Sequence, residues 1–219
     1  MGVFDIVGPV MIGPSSSHTA GAARLGKMAR TILGEEPSKV DITLYGSFAR
    51  TYKGHGTDKA LAGGLLNFAA DDPRIKNALA LARQLNINII FQTSDKETPH
   101  PNTVQFSLQG KSGMAATMTG VSIGGGQIEV QEINGFDVRL TGEYYTLITI
   151  HQDKPGVIAK VTQALACFDI NIARMKVSRS LRGAEALMVL EADEPIPEAT
   201  VGLLRSDRLI QLALPVQPL

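Results

Sequence analysis

Hydrophobic positions in the first part of the chain recur every three or four places. Leu25, Met28, Ala29 and Ile32 share one face of a helix predicted over residues 20–33 and stopped near Gly34. Leu61, Leu65 and Phe68 repeat that spacing over residues 57–68, and Asp72-Pro73 opens a third helix with Ile75, Leu79, Ala82 and Leu85 on its inner face. Between the first two helices, residues 40–45 alternate as a strand, and a polar loop follows. From residue 87 the period becomes two. Residues 87–92, 103–108, 114–119, 128–132 and 136–140 read as short strands separated by glycine-rich or Asn-Gly turns. Gly124-Gly125-Gly126 fits a turn or bulge better than an anion-binding loop, because no helical pattern follows it. Residues 1–142 are therefore expected to form an α+β domain with a mixed or antiparallel sheet.

Beyond Gly142 the pattern changes again. Strands at 145–151, 170–178, 186–191 and 209–214 alternate with helices at 156–168 and 197–204, giving the order βαββαβ. This is the split βαβ, ferredoxin-like plan, a four-stranded antiparallel sheet with both helices on one face. Val157, Val161, Leu165 and Phe168 would form the buried stripe of the first helix. Such a module, over residues 145–219, leaves sheet edges or a sheet face to cover, so pairing between copies is expected.

Composition narrows the partners. Lys plus Arg (21) equals Asp plus Glu (21), so no broad basic field attracts nucleic acid or a membrane surface. The single cysteine, Cys167, allows no intrachain disulfide and no Cys-x-x-Cys metal element. With no targeting pattern in the first thirty residues and no apolar run of about 20 residues, the chain is expected in the cytosol. Aromatic residues are few (5%) and Trp is absent, which makes stacking on bases or sugars a poor expectation.

Polar chemistry concentrates in three front-domain segments. Pro14-Ser15-Ser16-Ser17-His18-Thr19 stands at the start of the first helix, where hydroxyls and first-turn amides suit a carboxylate or phosphate. One Ser or Thr suffices to cap a helix; three serines and a histidine favour a ligand or an interface. Gly54-His55-Gly56-Thr57-Asp58, near Arg50, Lys53 and Lys59, sets an exposed histidine in a cationic loop, with Thr57 or Asp58 capping the next helix. His100-Pro101-Asn102-Thr103 is a candidate contact, although rigid entry into a strand is its simpler account. A Ser-His-Asp triad from Ser17, His18 or His55, and Asp58 lacks the Gly-x-Ser-x-Gly elbow that would support it. In the second domain, Pro155-Gly156 sits where a strand turns into a helix, with His151, Asp153 and Asn171 expected to flank a bound amino acid.

The segment His151-Gln152-Asp153-Lys154-Pro155-Gly156-Val157-Ile158, with Asp169-Ile170-Asn171-Ile172-Ala173 after the helix, resembles an ACT domain. The resemblance implies binding of an amino acid between paired copies and regulation of an attached enzyme, with Arg174 and Arg179 as further anion contacts or plain surface charges. The Pro-Ser-Ser-Ser-His-Thr segment, Gly46-Ser47-Phe48-Ala49, Gly-His-Gly-Thr-Asp and His-Pro-Asn-Thr, followed by that module, resemble the β chain of bacterial iron-sulfur-dependent L-serine dehydratases. The resemblance implies conversion of L-serine to pyruvate and ammonia with a [4Fe-4S] cluster. Such a cluster needs about three or four thiolates, so its ligands would lie on a second, α chain. Within the resemblance, Ser15, Ser16, Ser17, His18 and Thr19 stand for one family segment and His55 and Asp58 for another; L-serine is substrate and a possible effector. The same arrangement also resembles the regulatory half of some D-3-phosphoglycerate dehydrogenases, in which case Arg24, Arg50, Lys53 and Lys59 would hold an anion without chemistry. No Gly-x-Gly-x-x-Gly follows a strand, so a complete dehydrogenase is not expected.

Overall fold

A computed structural model describes Met11, Gly13 and residues 15–219; Pro14, part of the first polar segment, lies outside the described residues. Chain contacts divide the protein after Asn134, while the strand at 136–140 continues the front sheet as its sixth member, as its alternation led one to expect.

The first unit opens with a single π-helical turn, Ser16–Gly21, that runs into α1 (Ala22–Leu33). Gly34 ends α1 in the left-handed conformation, its amide returning to the Arg30 and Thr31 carbonyls. Strand β1 (Pro37–Tyr45) leads directly into α2 (Gly46–His55), where the sequence reading expected a polar loop. The reason is local. Gly46 turns the chain out of the strand at φ +53°, and the Ser47 amide donates to the Pro101 carbonyl at 2.6 Å. Phe48 is the one side chain α2 buries, so no apolar stripe announces the helix.

Gly56 separates α2 from α3 (Thr57–Leu65), and a 3-10 turn (Pro73–Asn77), capped by the Asp72 carboxylate on the Arg74 amide, precedes α4 (Ala78–Gln84). Phe68 lies beyond α3, and Leu85, expected inside, is half exposed. Helices α1 and α3 approach closely because two glycines face the contact. A Cβ on Gly26 would stand 2.2 Å from the Leu61 carbonyl oxygen, and one on Gly64 would stand 2.0 Å from that of Ala23. Strands β2 (Asn88–Ser94), β1, β3 (Thr103–Gly110), β4 (Ala115–Gly124) and β5 (Gln127–Ile133) lie side by side in that order. Only the β1–β2 pair is parallel, so the sheet is mixed. The triple glycine makes the β4–β5 turn, with φ positive at all three positions.

The second unit begins with β6 (Phe136–Leu140) and continues as β7 (Tyr145–Gln152), α5 (Val157–Ala166), β8 (Ile172–Arg179), β9 (Glu185–Ala192), α6 (Glu198–Arg205) and β10 (Ile210–Val216). The last four strands form an antiparallel sheet in the order β10-β7-β9-β8. Leu147, Met188, Leu190 and Ala213 pack with Val161 and Leu165 of α5 and Val201 and Leu204 of α6. Burying each such side chain contributes about 1.5–3 kcal/mol. Phe168, placed on this stripe by periodicity, is 42% exposed because α5 ends at Ala166.

Candidate active site

Ser15 is extended (φ −143°, ψ 127°) and caps the π turn: its Oγ accepts from the His18 amide and its carbonyl from the Thr19 amide at 2.9 Å. A π turn widens the backbone spiral by one residue, and here it delivers His18 inward. The ring of His18 lies between two hydroxyls, with Nδ1 3.3 Å from Ser15 Oγ and Nε2 3.4 Å from Ser47 Oγ. It meets Phe48 edge-on at 5.1 Å between centroids and His55, also edge-on, at 4.8 Å. Burial, and then the neighbouring His55, hold the His18 pKa below its ordinary 6.5. His18 is therefore a neutral imidazole near neutral pH.

His55 closes α2 just before Gly56, whose left-handed conformation (φ +71°) starts α3 at once. It is thus packed at a helix junction rather than exposed in a cationic loop, and its Nδ1 is sealed from solvent without a hydrogen-bond partner. The third wall comes from the sheet. Ser122 Oγ donates to the Ser17 carbonyl at 3.0 Å, the Ser122 amide donates to the Asn102 carbonyl, and the Asn102 side-chain amide returns to the Ser122 carbonyl. Gly21 makes room for this contact, since a Cβ there would stand 2.1 Å from Ser122 Oγ.

Three more buried oxygens in these segments lack partners: Thr19 Oγ1, Thr57 Oγ1 and Asn102 Oδ1. Buried polar atoms are almost always hydrogen-bonded, and leaving one unpaired costs about 1–3 kcal/mol. Together with His55 Nδ1, these unpartnered polar atoms lie on the segments that cage the His18 ring.

The other front-domain candidates lie outside this cage. The Asp58 carboxylate turns to the Lys59 amide at 2.8 Å, and α3 has Gly56 as its cap with no side-chain cap bond, so neither Thr57 nor Asp58 caps it and the triad is not assembled. Thr57 points inward instead. Arg50 borders a separate cavity of about 480 Å³ with Ser94, Lys96, Thr98 and Pro101. Lys53 is exposed beside the Tyr52 ring, and Arg24 donates to the Gly126 carbonyl. His100 organises its own turn: Nδ1 accepts from the Asn102 amide, and its carbonyl accepts from Thr98 and Thr103. Ser16 is part-buried in the π turn. Sequence reading left Ser47 and Ser122 out of the site. The Gly46-Ser47 step marked the first; Ser122 contacts a residue 105 positions away and carried no local signal.

In the second unit, His151 is buried, with Nδ1 2.9 Å from the Gln152 carbonyl oxygen and Nε2 sealed without a partner. Asp153 accepts from the Gly183 amide at 3.0 Å and from Arg179 at 3.3 Å, and those bonds hold its carboxyl below the usual range. Gly156 is the left-handed cap of α5 (φ +89°). Asn171 does not join them. It precedes Ile172, which pairs with Ala192 and through it with Tyr145, at the opposite end of the sheet from His151. There the Asn171 side-chain amide donates to the Asp193 carboxylate at 2.8 Å and its backbone amide donates to the Glu194 carboxylate at 3.1 Å.

Cys167 stands exposed at the end of α5. Among the described residues no three His, Cys, Asp or Glu side chains converge. No helix among the described residues is long and apolar enough to cross a membrane.

Fold and site define a two-part chain in which an α+β unit with a buried histidine packed against a half-buried one precedes a βαββαβ module of the ACT type. Residues 145–208 match the ACT domain, and residues 2–133 match the family described as serine dehydratase beta chain. The chain belongs to the serine dehydratase beta chain family. It is 50% identical over 196 residues to the probable L-serine dehydratase, beta chain, of Bacillus subtilis (strain 168), covering 90% of this chain and 89% of that one. It is 39% identical over 197 residues to the L-serine dehydratase, beta chain, of Peptoniphilus asaccharolyticus, with the same coverage. The D-3-phosphoglycerate dehydrogenase of Bacillus subtilis (strain 168) is 30% identical over 182 residues, which are 82% of this chain but 34% of that enzyme.

Proposed function

We propose that this chain is the β subunit of a cytosolic L-serine dehydratase and that the His18 cage forms its share of the substrate pocket. The observation that carries the reading is the set of four buried, unpartnered polar atoms on the segments around His18, whose own ring is kept neutral by burial. The elimination removes a proton from Cα while the bond from Cβ to the hydroxyl oxygen breaks; the enamine formed then hydrolyses to pyruvate and ammonium. His55, half-buried and with an unpaired ring nitrogen, takes the Cα proton. His18, locked between Ser15 and Ser47, is a positioning residue that keeps His55 in place. Thr19, Thr57 and Asn102 hold the carboxylate and ammonium of serine. Activation of the leaving hydroxyl belongs to the α chain, which would hold the [4Fe-4S] cluster. The second unit pairs with its copy and senses an amino acid, serine first.

Co-expression with the α chain and assay of pyruvate formation test the reading. His55→Ala is expected to lower kcat by about 10²–10⁴, with circular dichroism unchanged. Wild-type kcat in both His55→Ala and His18→Ala would defeat it. A second reading, that the front unit only regulates, draws on the phosphoglycerate dehydrogenase relative; it predicts a changed effector response with kcat intact.

A further inference from the structure

The second unit carries a polar cavity of about 540 Å³ lined by Arg139, Arg174, Met175, Lys176, Val189 and Glu191. Along β9, Met188 and Leu190 belong to the core under the helices, so the alternation turns Val189 and Glu191 to the other face. Arg174 and Lys176 pair in register with Glu191 and Val189 and share that face. Arg139 reaches it from β6.

Glu191 is only 3% exposed. One carboxylate oxygen is 3.6 Å from the Arg174 guanidinium, while Oε1 is sealed from solvent and has no hydrogen-bond partner. Lys176 is held at 2.7 Å by Asp137, and the Arg174 guanidinium lies 5.4 Å from the centroid of the Tyr144 ring. A carboxylate buried for structural reasons has both oxygens satisfied, since the desolvation cost is otherwise unmet. Here the residue with the unpaired oxygen lines a cavity together with three cationic side chains.

We propose that this cavity binds a small zwitterion, its ammonium donating to Glu191 and its carboxylate set against Arg174 and Lys176. A simple anion would leave Oε1 without a donor and add a like charge beside it. A simple amine would satisfy Glu191 but draw it away from Arg174 with no anion to replace it. The site is separate from the His151–Gly156 end of the module: Glu191 pairs with Thr146 and His151 with Ala186, which places them about 17 Å apart along the strands. It stands independently of the dehydratase reading.

Isothermal titration of glycine, L-alanine and L-serine into the full chain tests the proposal, with propionate and ethylamine as half-ligands. At least one amino acid is expected to bind, and neither half-ligand. Glu191→Gln and Arg174→Ala are each expected to weaken binding about tenfold or more, whereas Lys160→Ala, on the helix side of the module, leaves it unchanged. Absence of binding by all three amino acids overturns the proposal, as does wild-type affinity in Glu191→Gln or propionate binding as tightly as alanine. Loss of binding in Asp153→Asn alone assigns the ligand to the other end of the sheet and equally overturns it.

Discussion

His18 in the first unit and Glu191 in the second are both ionisable side chains taken out of water, and burial pushes each toward its neutral form. Their surroundings differ. His18 sits among hydroxyls, an aromatic edge and a second histidine, so its neighbours reinforce neutrality. Glu191 sits among charges: Arg174, the Thr141 amide and Arg139 pull it toward ionisation, while Glu143 joins burial in opposing them. A site of neutral dipoles suits a positioning role, because an uncharged imidazole can be held between hydroxyls against its neighbour without a counter-ion. A site of opposed charges suits a ligand that brings its own pair.

The comparison breaks most sharply through catalysis. His55→Ala should cost about 10²–10⁴ in kcat, while Glu191→Gln should leave kcat in the absence of effector within about twofold; equal losses would erase the division of labour. Next comes packing. Gly64→Ala puts a Cβ against the Ala23 carbonyl and is expected to destabilise the first unit by about 1–3 kcal/mol, measured as a shift in its urea midpoint, with a proportionate loss of turnover. Ser47→Ala, which frees one side of the His18 ring, should lower kcat about tenfold through one lost hydrogen bond.

The smallest effects are on pH dependence, and their signs are opposite. With the His18 value depressed, the unfolded chain takes up its proton first as pH falls below 6.5, so the stability this group contributes is present above that pH and drops as pH falls through the folded value. With the Glu191 value raised above its ordinary 4.5, the native chain takes up the proton first, so its contribution is present at low pH and is lost as pH rises through the raised value. Urea unfolding of His18→Gln should therefore lose slope on the acid side of neutrality, and that of Glu191→Gln just above the ordinary carboxylate range. Matching slopes in both variants would contradict the contrast.

Most of the architecture was legible because burial followed period: Leu25, Met28, Ala29 and Ile32 announced α1, and the βαββαβ order stood out from alternation alone. Helix α2 was not legible, since it buries only Phe48 and is set by Gly46 and by a carbonyl at Pro101, far along the chain. The histidines were found by their glycine and serine neighbours, but their meeting depends on the approach of α1 to α3. Asn171 lies far from His151 within one chain for a topological reason: α5 carries the chain back down the sheet before β8 begins. Glu191 passed unnoticed because a lone carboxylate in an apolar strand gives no hint of which face it occupies or what stands opposite.

The Gly26–Gly64 contact has a further consequence for how this protein can vary. Because backbone meets backbone there, no side chain can adjust to absorb a change, and the π turn with His18 runs straight into α1 while His55 stands just before α3. Displacing a reacting group by about 1 Å can cost 10²-fold in rate. Two residues that touch no ligand therefore set the tolerance of the site, and a redesign of its substrate range would have to leave them alone.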